Sequence, residues 1–160
     1  MTAVELFNTF IAAGLRPDFQ HLADNYFEPV SVAWVQRNWD AWMDARPSEL
    51  KRTIPVGGGA SRLVPLWVQQ SSDCDNLALG LMVHGQVGNA LASVKRGTKR
   101  GGLAFGVVFY TAQSATMRGG HAINWFVGYG QELRFFEPGL GEIVELNSAE
   151  RASARFCLAA

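Results

Sequence analysis

The stretch Gly120-His121-Ala122-Ile123-Asn124-Trp125-Phe126-Val127-Gly128-Tyr129-Gly130-Gln131-Glu132-Leu133-Arg134-Phe135-Phe136-Glu137 decides the fold. Aromatic and β-branched residues run up to a Gly-Tyr-Gly turn and return through a second apolar run, the pattern of two paired strands. Glycine on both sides of Tyr129 predicts a tight hairpin centred there. Side chains alternate between the faces of a strand, and cross-strand partners lie roughly 4.5 to 5.5 Å apart at Cβ. Such a hairpin sets His121 opposite Glu137, Ile123 opposite Phe135 and Trp125 opposite Leu133. One face is then apolar and ends in an imidazole and a carboxylate. The other is mixed, pairing Ala122 with Phe136, Asn124 with Arg134 and Phe126 with Glu132. A one-residue slip would destroy both the His–Glu pairing and the apolar face.

Working outward, Leu103 to Tyr110 and Glu142 to Leu146 read as further strands, with a short helix or coil from Ser148. Helices come earlier in the chain. Val4, Phe7, Phe10, Ile11 and Leu15 recur at helical spacing, and Gly14 or Pro17 closes that helix. Leu22 to Val30 is extended. Ser31 then caps a helix to about Ala45, in which Val32, Val35, Trp39, Trp42 and Met43 share a core face and Pro47 is the stop. Ser48 to Arg52 makes one more turn, Gly57-Gly58-Gly59 a loop, and Leu63 to Val68 a short extended piece. From Asp75, the positions Leu77, Leu81, Val87, Leu91 and Val94 predict a helix of about 20 residues, kinked or broken near Gly85 and Gly88. Lys95 to Gly102 is a basic, solvated turn. Helices followed by antiparallel strands make an α+β domain, residues 1–160, with a long central helix packed on a small antiparallel sheet.

Charge is balanced, 14 basic against 14 acidic residues, so no global field draws the chain to nucleic acid or to an anionic membrane. Cys74 and Cys157 are too few for a disulfide framework, which points to a reducing, cytoplasmic setting. The N-terminus lacks the pattern of a signal peptide, and no stretch of about 20 apolar residues stands out. A free strand edge near the C-terminus could seat a homodimer.

The polar cluster Ser71-Ser72-Asp73-Cys74-Asp75-Asn76 runs directly into the long helix and places Cys74 in its first turn. Backbone N–H groups at a helix start favour a thiolate, while Asp73 and Asp75 oppose it. What lifts Cys74 above a buried core cysteine is the His121–Glu137 pair: a base with its own orienting carboxylate. Asn124 is the second choice as orienter, since it faces the other side of the strand. His84 lies ten residues along the helix, about 15 Å from Cys74, too far to serve as its base. His21 has no organised surroundings, and no zinc signature supplies further ligands.

A cysteine opening a long helix, followed by strands carrying His and its orienter, resembles the papain-like cysteine peptidases. Within them the motifs Asp73-Cys74-Asp75-Asn76, Gly120-His121-Ala122-Ile123-Asn124 and Glu137-Pro138-Gly139-Leu140-Gly141-Glu142 look most like the agglutinin-type (Marasmius oreades agglutinin) protease domain and its small bacterial and phage relatives. The resemblance covers residues 22–146. It implies a hydrolase, a thiol protease acting on a peptide or protein substrate, with Cys74 as nucleophile, His121 as base and Glu137 as orienter. It further implies that Gln69 or Gln70 donates to an oxyanion, and that calcium is a possible cofactor, with Asp24, Asp73 and Asp75 as candidate ligands. Asn76 stands where that motif has an acidic residue. The lectin half of the agglutinin has no counterpart here, so the resemblance carries no sugar binding. The alternative is a non-enzymatic phage or bacterial effector that binds a host protein on the same scaffold.

Overall fold

A computed structural model of the chain describes residues 1–68, 73–98, 101–113 and 118–159. Its centre is a six-stranded sheet in the order β1-β10-β6-β7-β8-β9, built from β1 (Phe19–Leu22), β6 (Phe105–Gln113), β7 (Arg118–Val127), β8 (Leu133–Glu137), β9 (Glu142–Val144) and β10 (Phe156–Ala159). The pairs from β10 to β9 are antiparallel, whereas β1 joins β10 in parallel. Two small pairs stand apart, β2 (Phe27–Glu28) with β5 (Gly102–Leu103) and the hairpin β3 (Lys51–Gly57) with β4 (Ala60–Pro65). The α+β reading therefore holds.

Both faces of the sheet are covered. On one, Leu6 and Phe10 of α1 (Ala3–Ala12) pack with Ile123, Trp125, Val127 and Phe135; on the other, Val35, Trp39 and Trp42 of α2 (Val32–Ala45) and Leu77, Ala78 and Leu81 of α3 (Cys74–Arg96) pack with Ala122, Phe126 and Phe136. The second face of the hairpin is mixed, with Ala122, Phe126 and Phe136 in the core and Glu132 and Arg134 exposed near the turn. Fully burying each large apolar side chain contributes roughly 1.5 to 3 kcal/mol, so β7, sealed on both sides from His121 to Val127, anchors the structure. Caps follow the sequence: the Ser31 hydroxyl accepts from Trp34 N at 3.1 Å, and Thr2 and Glu5 form a capping box.

Four expectations need correction. The hairpin is not centred on Tyr129. Trp125 lies opposite Phe135 and Val127 opposite Leu133, two residues from the expected register. The turn closes through Gly128 N–H to Glu132 O and Gln131 N–H to Gly128 O, and it is Gln131, not a glycine, that takes the left-handed backbone at φ 62°. Because the shift is by two residues, every side chain keeps its face.

Second, α3 runs unbroken through Gly85 and Gly88. At Gly85 a Cβ would lie 2.8 Å from Trp34, so the glycine lets α2 and the helix approach each other. Third, residues read as loop and tail form β3 and β10. Fourth, α3 is long and apolar enough by length and composition to cross a membrane, although no such stretch was expected. Here it is a core helix against β6, β7 and α2, burying Leu77, Leu81 and Met82 while Val83, Val87, Leu91 and Val94 remain exposed.

Candidate functional site

Cys74 is the first residue of α3, following Asp73 at the N-cap. The Asp73 carboxylate accepts from Asn76 Nδ2 at 2.8 Å rather than from the helix backbone. The Asp75 carboxyl is raised above its ordinary range by its hydrogen bond with Asp73, with burial and the Asp73 charge acting in the same direction. A buried amide fixes the helix onto the sheet: Asn124 Nδ2 donates to Ala78 O at 2.9 Å and to Gly106 O at 3.1 Å. Asn124 thus orients the cysteine-bearing helix rather than the histidine, and its place as second-choice orienter of His121 is corrected. Its 0% exposure on the α3 face explains why.

His121 and Glu137 come together without being direct cross-strand partners. The register puts them on a diagonal, and the imidazole and carboxylate span it, His121 Nε2 to Glu137 Oε2 at 2.6 Å. The other oxygen of Glu137 accepts from Gly139 N–H at 2.9 Å, and its carbonyl accepts from Gly141 N–H at 2.8 Å, so the carboxylate is held by the turn that follows it. That turn is pinned in its own right. Trp39 Nε1 donates to Pro138 O at 2.9 Å, and its ring lies where a Cβ on Gly141, at φ +70°, would have to go.

Cys74 and His121 line the same cleft, and the sulfur, like the Glu137 carboxylate, acts on the ring as a hydrogen-bonding group. Burial pushes the imidazolium down, but the hydrogen bonds to Cys74 and Glu137, together with the charges of both groups, outweigh it and lift His121 to about 9. The Tyr110 ring meets the imidazole edge to face at 5.7 Å, and burial beside Glu150 and Glu137 raises its hydroxyl further. Cys74 itself is partly exposed. The geometry joins a reachable sulfur, a protonated imidazole and a fixed carboxylate. Such a set can stabilise an anionic sulfur and present it to an electrophile.

The cleft that contains this set opens on two sides. One, of about 510 Å³, is lined by Asp75, Phe109, Thr111 and Arg155; the other, of about 580 Å³, by Arg52, Trp67, Leu77, Leu140, Val144 and Leu146. Arg52 and Trp67 were missed as site residues: Arg52, read as the end of a helical turn, lies on β3, and Trp67, read within a short extended piece, follows β4. Gln69 and Gln70 lie outside the described residues. Asp24, Asp73 and Asp75 do not gather into a ligand set: among the described residues no group of three or more His, Cys, Asp or Glu is placed to hold a metal ion. His84 bonds Asn38 through Nδ1 at 2.9 Å and takes no part.

No family model matches this chain, and no curated protein does. Solved structures do. The fold is similar to half of a lectin chain. The Polyporus squamosus lectin bound to the human-type influenza-binding epitope Neu5Aca2-6Galb1-4GlcNAc matches over 99% of this chain and 49% of its own, at 24% identity and a TM-score of 0.61. The PSL1a-E64 complex matches over 99% of this chain and 50% of its own, at 23% identity and a TM-score of 0.60. This chain therefore spans about half the length of those it matches, and the likeness is one of fold. It corrects the resemblance drawn from the motifs. The structure of Polyporus squamosus lectin carries the name of a lectin, neither title names a papain-like or agglutinin-type peptidase, and the one printed source is not a phage. The peptidase, hydrolase and phage-protein readings are withdrawn, and the acyl-transfer function with them.

Proposed function

We propose that this chain is a binding module whose cleft carries a reactive thiol at Cys74, paired with His121 and oriented by Glu137. The observation that supports it is the placement of His121 between a partly exposed sulfur and a buried carboxylate, in surroundings that keep the ring protonated to about pH 9. A ligand with an electrophilic carbon is held there as a covalent adduct; the reading is one of capture, not of turnover. The sulfur's lone pair forms the C–S bond, the leaving group departs with its electron pair, and the Cys74 proton remains on His121. That one structural neighbour was solved in complex with E64 supports a small-molecule site on this scaffold.

The test is alkylation by iodoacetamide followed by intact and peptide mass spectrometry. At pH 6 a free cysteine, with a pKa of about 8.5, is almost wholly thiol; Cys74 is expected to react at least about tenfold faster than it, and His121→Ala to lose that advantage. Equal rates for Cys74 and free cysteine across pH 6 to 8 would refute the proposal.

A second reading, saccharide binding, is favoured by the epitope named with the other neighbour and by Trp67, exposed at 53% on the cleft wall, a surface on which a sugar ring could stack. Titration with Neu5Aca2-6Galb1-4GlcNAc, followed by calorimetry and by Trp67→Ala, separates the two. Saturable heat abolished by that substitution would establish the saccharide site; no heat would dismiss it.

A further inference from the structure

Beside the Cys74–His121 pair, the larger lobe of the cleft has walls of Trp67, Leu77, Leu140, Val144 and Leu146. At about 580 Å³ it falls within the range of sites that enclose small organic ligands, and such walls reward an apolar body rather than a hydroxyl-rich one.

The charges around the lobe are unevenly committed. Glu137 is bound to His121 and to Gly139 N–H. Glu145 pairs with Arg151 at 3.2 Å, and Glu150 accepts from the backbone N–H groups of Gln113 and Asn147. Each carboxylate in the wall has its partner. Arg52, on β3, also lines the lobe, yet its guanidinium has no hydrogen bond or ion pair among the described residues. The nearby hairpin arginine is engaged by contrast, since Arg62 holds Glu142 at 3.0 Å and Leu140 O at 3.0 Å and so ties the hairpin to the turn after Glu137. The lobe thus combines an apolar interior with an uncommitted planar cation at its rim.

We infer that the cleft takes an amphiphilic carboxylate, its aryl or branched alkyl body among Trp67, Leu140, Val144 and Leu146 and its acid group on Arg52. A guanidinium fork matches a carboxylate in bidentate geometry. Glu137, Glu145 and Glu150 in the same wall select a monoanion over a phosphate dianion, because each added negative charge meets like charge. This assignment rests on the cleft being the binding site proposed above, but not on the reactivity of its sulfur.

The experiment uses Cys74→Ser, which removes covalent chemistry, and measures binding of 4-phenylbutyrate, 4-phenylbutan-1-ol and 4-phenylbutylphosphonate by calorimetry. The carboxylate is expected to bind at least tenfold more tightly than the alcohol and the phosphonate. Arg52→Gln brings the carboxylate down to the affinity of the alcohol, and Leu140→Ala weakens both. Equal affinities for acid and alcohol, or an acid preference that survives Arg52→Gln, would overturn the inference. Alkylation of the unsubstituted chain is scored separately. Rapid alkylation with no acid preference removes the ligand class alone, whereas an acid preference with sluggish alkylation removes only the reactive thiol.

Discussion

Replacing Glu137 by Gln tests the electrostatics of the site most directly. The substitution keeps shape and hydrogen-bonding capacity but removes the charge that faces His121 Nε2 at 2.6 Å. In the folded chain His121 stands at about 9 against 6.5 for an unperturbed imidazole. At 1.36 kcal/mol per unit, that lift is worth about 3 kcal/mol of folding stability. Its sign follows from linkage: a pKa raised on folding means the native state binds the proton more tightly, so the contribution is complete below pH 6.5 and fades as pH climbs through 9. In a Cys74→Ser background, where no thiol titrates beside the ring, the chain should lose stability between pH 6.5 and pH 9.5, by less than the full amount of about 3 kcal/mol because the sulfur's share of the lift is gone, read as urea unfolding at a series of pH values. Glu137→Gln should show a much flatter profile. Its His121 should titrate well below 9, because burial is then opposed by Cys74 alone, and ¹³C-labelled histidine NMR would follow the ring directly. A Glu137→Gln variant whose His121 still titrates near 9, or a Cys74→Ser chain equally stable at pH 6.5 and 9.5, would refute the reasoning.

Three further outcomes follow from packing. Asn124→Ala removes one hydrogen bond to α3, at Ala78 O, and one to β6, at Gly106 O; about 1 to 3 kcal/mol should be lost in denaturant unfolding, together with faster exchange of amides near the start of α3. Gly85→Ala offers better helix propensity but drives a methyl to 2.8 Å from Trp34, so a net loss of about 1 to 3 kcal/mol is expected, and a stabilised variant would show that the helices part freely. Cys157, wholly buried and pushed up to about 12 by that burial, should resist iodoacetamide in the native chain and react only on unfolding; mass spectrometry would then count one adduct before denaturation and two after.

How much could be read beforehand depended on whether the signal was local. Ser31 as a cap, the α2 face of Val35, Trp39 and Trp42, and the start of α3 at Cys74 are set by neighbours in sequence, and they stand where periodicity put them. The pairing of β10 with β1 and β6 joins the two ends of the chain and leaves no local trace. Register failed for a specific reason: glycines usually supply unusual backbone angles, but in this turn Gln131 supplies one. The His121–Glu137 contact survived that error because a two-residue shift preserves the face, and the two side chains are long enough to close the diagonal. Asn124 was assigned to the wrong partner, since nothing in the strand's own sequence says that α3 lies over it. Arg52 and Trp67 stayed invisible because the hairpin that brings them to the cleft is exposed, so its residues carry no strong apolar alternation.

The tryptophan hydrogen bond from α2 to the turn after Glu137 joins residues 99 apart in the chain, and the asparagine hydrogen bond from β7 to α3 joins residues 46 apart, whereas His121 and Glu137 are only 16 apart on neighbouring strands. The imidazole can therefore meet its carboxylate within one hairpin, while the sulfur reaches it only across a much longer loop. A chain whose long helix is not yet docked accordingly holds an ordinary cysteine. Its special character appears only when helix and hairpin meet, which makes the alkylation rate of Cys74 a clock for that docking as well as a property of the finished protein.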